Sequence, residues 1–404
     1  MKTLFKKLAF YSLFAIIGVL ATATIIEKFF GSEVALSTVY HSWWFVILWC
    51  VCAVSSVLYV FKTKLPTKPA AFLVHIALLL ILLGAGMSFC TSKRGLIHIR
   101  QGEVLNYFLM PKANGETVRE QLPFNLKLLL FSKTPLSIVN GEIMESNDEK
   151  LSDKAFFSYL QIDDKTCCVW LNHIYEYQHY RFYQYEFDSD EHGVTLLVNR
   201  DPYGIAITYA GYLLLLIAAL WLLCRKLKWR WMLAVCLPTA AVWFFISQIK
   251  PMTPVLRSPM LAAHVSVIMI SYVLLLLIAI LSAVELTKDK KLKTTEESGK
   301  ANDEGKLSKI CRLLLYPAVF LLAIGIFIGA VWANISWGRY WGWDSKETWA
   351  LITLLVYAIP FHKHTFPKFQ EAKFFHRYLL FAFFSVLMTF LGVSFLLGGM
   401  HSYL

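Results

Sequence analysis

Charge is scarce in this chain. Of 404 residues, Asp, Glu, Lys and Arg make up 16%, against 57% hydrophobic residues and a mean hydropathy of +0.54. So little charge, combined with long apolar runs, excludes a water-soluble globular protein and reads as a polytopic membrane protein. Also missing is any C-x-x-C motif. Six of the eight cysteines (Cys50, Cys52, Cys90, Cys224, Cys236 and Cys311) lie in or at the ends of apolar runs, where a thiol is usually a small hydrophobe. The other two, Cys167 and Cys168, are neighbours in sequence, which disfavours a relaxed disulfide. The chain therefore encodes neither a thiol-redox centre nor a covalent haem attachment site. A clear small-residue cleavage site is absent too, so basic Met1–Lys7 and the run after it read as a retained anchor.

Apolar runs that predict membrane spans are Leu8–Ile26, Trp43–Phe61, Ala70–Cys90, Ile205–Cys224, Trp231–Ile249, Met260–Glu285, Leu313–Trp332, Thr348–Phe361 and Tyr378–Leu397. The eighth is short for a span at about 1.5 Å rise per residue. With about nine helices, the basic segments alternate onto one side: Met1–Lys7, Lys62–Lys68, Arg225–Arg230, Lys288–Lys309 and Lys363–Arg377. The bias of Lys and Arg towards inner loops makes that side the cytoplasm, with the N-terminus inside and the C-terminus outside. The formal net charge of +12 is then an orientation signal, and nucleic-acid binding is not needed to explain it.

The expected fold is an all-α polytopic membrane protein with a small β-rich extracytoplasmic domain. Residues 1–90 hold helices one to three and 91–203 the outer domain. Residues 204–285 hold helices four to six, 286–310 form a charged cytoplasmic linker, and 311–404 carry the last three helices. The outer domain is assigned from alternation such as Leu96–Arg100 and Phe182–Phe187, with Asp188–Gly193 as a turn.

Residues Trp337–Trp349 read WGRYWGWDSKETW, between two apolar runs. Two or three tryptophans would suit an interface belt. Here Trp337, Trp341, Trp343 and Trp349 crowd together with Gly338, Gly342, Asp344 and Glu347, which suggests a surface built to hold something flat. Asp344-Ser345-Lys346-Glu347 fits a capping box, which gives Asp344 and Glu347 a structural role. Four of eleven histidines pair by depth in the membrane. His75 and His362 fall in the inner half, His264 and His401 outside. Two imidazoles on opposite faces of a macrocycle make an axial iron site. For any one membrane histidine an interhelical hydrogen bond is the commoner role, but the pairing beside a tryptophan run points to a porphyrin.

The run WGRYWGWDSKETWALI resembles the tryptophan-rich WWD signature of haem-handling cytochrome c biogenesis proteins. Tyr357–His362 and Gly399–Tyr403 resemble their CcsA branch. Val39–Phe45, the helix with His75 and Gly84, Tyr180–Tyr185 and Asn199–Pro202 are similar to the ResB-like CcsB partner. A CcsB–CcsA fusion is thus implied. The resemblance implies haem b as substrate and bound ligand, passed from an inner to an outer site. There it would be joined, with reduced iron, to C-x-x-C-H thiols of apocytochrome c. It also implies His75 and His362 as the transmembrane iron ligands and His264 and His401 as the external pair flanking the WWD segment. Trp337, Trp341, Trp343, Asp344 and Trp349 would contribute to haem binding, and His364 rivals His362. A thioredoxin-like reductant is a further implied partner, and the bacterial inner membrane the implied location. Rival classes are a haem exporter without ligase activity, a proton-coupled transporter, and a glycosyl-type transferase. The transferase would want more acidic residues than Asp344 and Glu347 on that outer loop.

Overall fold

A computed structural model describes residues 1–111, 116–139, 142–145, 156–170, 172–227, 229–248, 258–294 and 305–397. The helices are α1 (Lys2–Phe30), α2 (Ser32–Ala35), α3 (Trp43–Phe61), α4 (Pro69–Thr91), α5 (Gly204–Lys226), α6 (Trp229–Gln248), α7 (Pro259–Thr294), α8 (Lys306–Trp337), α9 (Ser345–Ala358) and α10 (Ala372–Leu387). Wider π-type turns extend α2 through Leu36–Tyr40 and α10 through Met388–Leu397. Among the described residues seven helices are long and apolar enough to cross a membrane: α1, α3, α4, α5, α7, α8 and extended α10. The other two expected spans are helical as well. In α6 side chains are described for residues 236–248, and Cys236–Gln248 is an apolar helix. At 14 residues α9 is about 21 Å long, less than a bilayer core. Large apolar side chains left exposed on the long helices, among them Trp43, Phe381 and Phe395, suit contact with lipid. The chain is a multi-pass membrane protein.

Between α4 and α5 lies the β-rich part. Its strands are β1 (Lys93–Arg100), β2 (Val104–Pro111), β3 (Thr117–Ser132), β4 (Leu136–Val139), β5 (Glu142–Glu145), β6 (Phe157–Ile162), β7 (Lys165–Trp170), β8 (Tyr175–Tyr177), β9 (Tyr180–Phe187) and β10 (Gly193–Arg200). Eight form one antiparallel sheet ordered β7-β6-β3-β2-β1-β10-β9-β8, and β4–β5 is a separate hairpin. Alternation on β1 buries Ile97 and Ile99, which join Phe108, Leu126, Leu160, Phe182 and Val198 in one core. The expected turn at Asp188–Gly193 joins β9 to β10.

Two cores fill the helical part. One gathers α7, α8, α9 and α10 around Leu275, Leu322, Tyr357 and Phe375. The other brings α1 and α3 against α9 through Ile16, Leu20, Phe45 and Ile352. The first helices therefore reach across almost the whole chain to pack on the helix that follows the tryptophan segment. Antiparallel α4 and α5 approach closely at Gly84 and Gly204, where a Cβ would run into Thr208 and Ser88 respectively. Of the expected linker, residues 295–304 lie outside the described residues.

Candidate functional site

Pro69 opens α4 and sets His75 in its second turn. Pro360 is the second residue of the short 3₁₀ turn Ile359–His362, which continues α9 and ends on His362. These two imidazoles come together, with ring centroids 6.0 Å apart and planes at 83°. Each is oriented by its own helix. His75 Nδ1 lies 2.8 Å from the Ala71 carbonyl, and His362 Nδ1 lies 3.1 Å from that of Ala358. A carbonyl only accepts, so both Nδ1 atoms must be the donors. In the neutral ring that leaves the lone pair on Nε2, the form in which imidazole binds a metal. Two imidazoles bound to one metal through bonds of roughly 2 Å have ring centres about 6 Å apart, so the spacing fits a shared iron. Phe10 of α1 packs edge-on to His362 at 5.6 Å, and Phe10 in turn meets Phe366 at 4.5 Å. His364 is exposed. Of the two histidines in the His362-Lys363-His364 run, the geometry brings His362 to His75.

At the other end α8 stops at Gly338, in the left-handed region at φ 73°, where glycine carries no Cβ penalty. Trp343 is also left-handed, at φ 57°, which costs a non-glycine residue about 1 kcal/mol. Tyr40 holds it there. The two rings stack at 4.8 Å and 12°, and Phe45 closes edge-on at 5.6 Å. Asp344 caps α9, accepting from the amides of Lys346 at 2.9 Å and Glu347 at 3.2 Å. Glu347 reaches back past the cap, and its Oε2 accepts from the Gly342 amide at 2.7 Å. The expected capping box is thus present in a stretched form.

The four tryptophans do not share one plane. Trp341 and Trp343 are nearly perpendicular, at 83°, so they cannot both lie flat against one face of a ligand. Trp337 packs on Trp332, at 4.8 Å and 69°. Trp349 donates its indole N–H to Thr24 of α1 at 3.2 Å. Among the described residues the buried indole nitrogen of Trp341 has no hydrogen-bond partner.

His264, in the second turn of α7, has its Nδ1 2.6 Å from the Gly325 carbonyl of α8. Its ring lies over Gly329, where a Cβ would meet it at 2.6 Å. The interhelical hydrogen bond expected of an ordinary membrane histidine is therefore made, and again the carbonyl fixes Nδ1 as donor. His401 lies outside the described residues.

Several contacts that build this region were not foreseen from the sequence. Ser345 Oγ donates to Glu27 Oε2 at 2.7 Å, and Asn199 Nδ2 donates to the Gly338 carbonyl at 2.5 Å. Tyr340 Oη donates to Ser88 Oγ at 2.9 Å, and Ser88 donates to Asp201 Oδ2 at 2.5 Å. The first two contacts span 318 and 139 residues, and no local pattern signals them. The seat of His264 did have a signal, the Gly325-x-x-x-Gly329 spacing on an apolar helix.

Two family models match this chain. Residues 204–401 match the model described as cytochrome C assembly protein, and residues 66–210 match the ResB-like family. The chain thus carries a ResB-like region ahead of a cytochrome c assembly region in one polypeptide, an arrangement consistent with a cytochrome c biogenesis protein of the CcsB–CcsA type. Neither match extends to residues 1–65, the segment that supplies Phe10, Thr24, Glu27 and Tyr40. Protein NrfI of Wolinella succinogenes is 41% identical over 160 residues, covering 39% of this chain and 17% of NrfI. Cytochrome c biogenesis protein CcsA of Mesostigma viride is 37% identical over 179 residues, covering 38% of this chain and 57% of that protein. CcsA of Synechococcus sp. (strain CC9902) is 35% identical over 180 residues, covering 38% of this chain and 58% of that protein. The chain spans less than two thirds of the length of each of these relatives.

Proposed function

We propose that this chain carries haem b from an inner site at His75 and His362 to an outer site beside the tryptophan segment, and there joins it to apocytochrome c. The observation that carries the reading is the facing pair of imidazoles. They come from opposite halves of the chain, each with Nδ1 tied to a carbonyl and Nε2 left for iron. At the outer site His264 and His401 are the iron ligands. Trp341 offers apolar area and an unpartnered N–H to the macrocycle, and Trp337, Trp343, Asp344 and Trp349 shape the loop around it.

The attachment step needs no protein nucleophile. The sulfur of each C-x-x-C-H thiol bonds to one vinyl carbon, and the thiol proton goes to the other. Two thioethers form and nothing leaves. The chain's contribution is to hold the haem and the apoprotein in register, so most of the gain is positional. A thioredoxin-like protein keeps the client thiols reduced. Nine spans then place the N-terminus in the cytoplasm and the β-sheet outside, in a bacterial cytoplasmic membrane.

Purified protein tests this directly. A red preparation with a Soret band, whose haem content falls in His75→Ala and His264→Ala, is the expected result. Coexpression with an apocytochrome should then yield a haem that resists acid–acetone extraction. Haem that binds but remains extractable would leave an exporter, and a colourless preparation would contradict the proposal.

A further inference from the structure

Helices α3 and α4 follow one another through a short turn, yet each turns its back on the other. Phe45 and Cys52 of α3 join the core shared with α1, where the Cys52 thiol donates to the Ala9 carbonyl at 3.7 Å. On α4, Ala77, Ile81 and Gly84 lie against α5: a Cβ at Gly84 would run into Thr208, and one at Gly211 into Ile81 and Ala77. At 3.6 residues per turn the opposite faces carry Trp43, Ile47, Val54 and Phe61 on α3, and Phe72, Leu79, Leu83 and Phe89 on α4. Two edge-on ring contacts join these fronts at their ends, Trp43 to Phe89 at 5.0 Å and Phe61 to Phe72 at 6.1 Å. Between them the fronts stand apart. Ile47, Val54 and Leu83 remain 58%, 59% and 56% exposed, and a Cβ at Gly86 of the same front would touch nothing within 4 Å. The two helices thus frame a slot about 27 Å tall.

The slot leads to the imidazole pair. Its two ring contacts set Val54 level with Leu79 and Leu58 level with His75, one turn from Phe72. The end of the bundle beyond the pair is drawn together by side chains from four segments. Lys6 donates to the Thr365 carbonyl, the Tyr59 and Thr365 hydroxyls bond at 3.2 Å, and Phe10 packs edge-on against Tyr59, His362 and Phe366. Both histidines are nevertheless only half-buried, and the flank from which the slot approaches them is apolar. The turn that joins α3 to α4 carries Lys62, Lys64 and Lys68, all exposed, at the inner mouth of the slot.

We propose that this slot is the entry by which haem passes sideways from the inner leaflet of the bilayer to His75 and His362. The proposal rests on the haem reading above and adds the route to its first site. A porphyrin has two apolar faces, which favour the bilayer over water at roughly 25 cal/mol per Å², and carboxylates along one edge. Held edge-on, such a plate fits a tall and narrow opening. Its carboxylates stay at headgroup depth, where Lys62, Lys64 and Lys68 suit them, while its iron reaches the level of the imidazoles. Lipid acyl chains are the other occupants the slot could take, and they bring neither a flat ring nor a charged edge to it.

The experiment uses full-length, haem-free protein in lipid nanodiscs, carrying Val54→Cys and Leu79→Cys with Cys50→Ala. A reducible bis-methanethiosulfonate ties α3 to α4 across the slot. Haem is then added to the bilayer, and the low-spin, six-coordinate absorption is followed in time. Linked protein should load at least about tenfold more slowly than the same protein unlinked, and cleaving the linker should restore the rate. Protein linked after loading should keep its spectrum, which shows that the link leaves the imidazole pair intact. Val54→Trp, which fills the slot without a link, should slow loading in the same sense. Equal loading of linked and unlinked protein, or normal loading of Val54→Trp, would overturn the side entry and leave the slot to lipid chains. Failure of the unlinked protein to take up any haem would instead remove the inner haem site itself, and the route with it.

Discussion

The inner histidine pair and the outer tryptophan segment are put together by different means. Each inner imidazole is oriented by a carbonyl four residues earlier on its own stretch of helix, Ala71 for His75 and Ala358 for His362. The outer segment is held from far away. Trp349 is tied to Thr24 across 325 residues, Ser345 to Glu27 across 318, and Trp343 stacks on Tyr40. A locally braced ligand depends on itself and its partner. A remotely braced loop depends on residues with no chemical part in the site, many of them in the first 65. The inner region should therefore fail through its ligands, the outer one through its supports.

The largest effect is expected at the inner pair. His75→Ala or His362→Ala should lower haem retention by roughly tenfold or more, the scale of losing a metal-site contact. His364→Ala should leave retention close to wild type, as read by haem per protein after purification. An effect at His364 with none at His362 would place the inner ligand elsewhere in the run.

Next comes a support of the outer loop. Tyr40 is 3% exposed, and Tyr40→Ala should cost about 3 kcal/mol in thermal stability through the cavity it leaves and the freed Trp343. Cytochrome yield should fall with it. Tyr40→Phe keeps the stack and loses only the long 3.4 Å contact to Thr348, so it should be nearly neutral. Equal damage from both substitutions would mean that the hydroxyl matters more than the ring.

Asn199→Ala removes the link between the sheet and Gly338 and leaves a buried carbonyl unpaired, for a loss of about 1–2 kcal/mol. Hydrogen exchange should rise at the end of α8 and stay unchanged around His75. The smallest effect is expected from Asp344→Ala, about 1 kcal/mol from loss of the α9 cap. Asp344→Asn should recover most of it, and a loss of haem out of proportion to the loss of stability would show a role beyond capping.

What the sequence made legible follows the same division. The long helices, the β-strands from Leu96 to Phe187 and the depth pairing of His75 with His362 rest on periodicity and hydropathy, which are local. The choice of His362 over His364 was not available, because it depends on where the turn Ile359–His362 aims each ring. The tryptophan segment was read as a surface built to hold something flat, and composition, which reports ring count, is blind to how each ring is oriented. The positive φ of Trp343 and its stack on Tyr40 decide that orientation. Neither the bond from Asn199 to Gly338 nor the reach of Thr24 and Glu27 leaves a pattern within any short window.

The central claim, that His75 and His362 share one iron, is tested most directly by a double-mutant comparison in resonance Raman or electron paramagnetic resonance of haem held at the inner site. Wild type should show low-spin, six-coordinate haem. Each single alanine variant should lose that signature to the same extent, and the double variant should be no worse than either, because ligands to one iron are not additive. Retention of the low-spin signature in either single variant, or losses that simply add in the double, would contradict it.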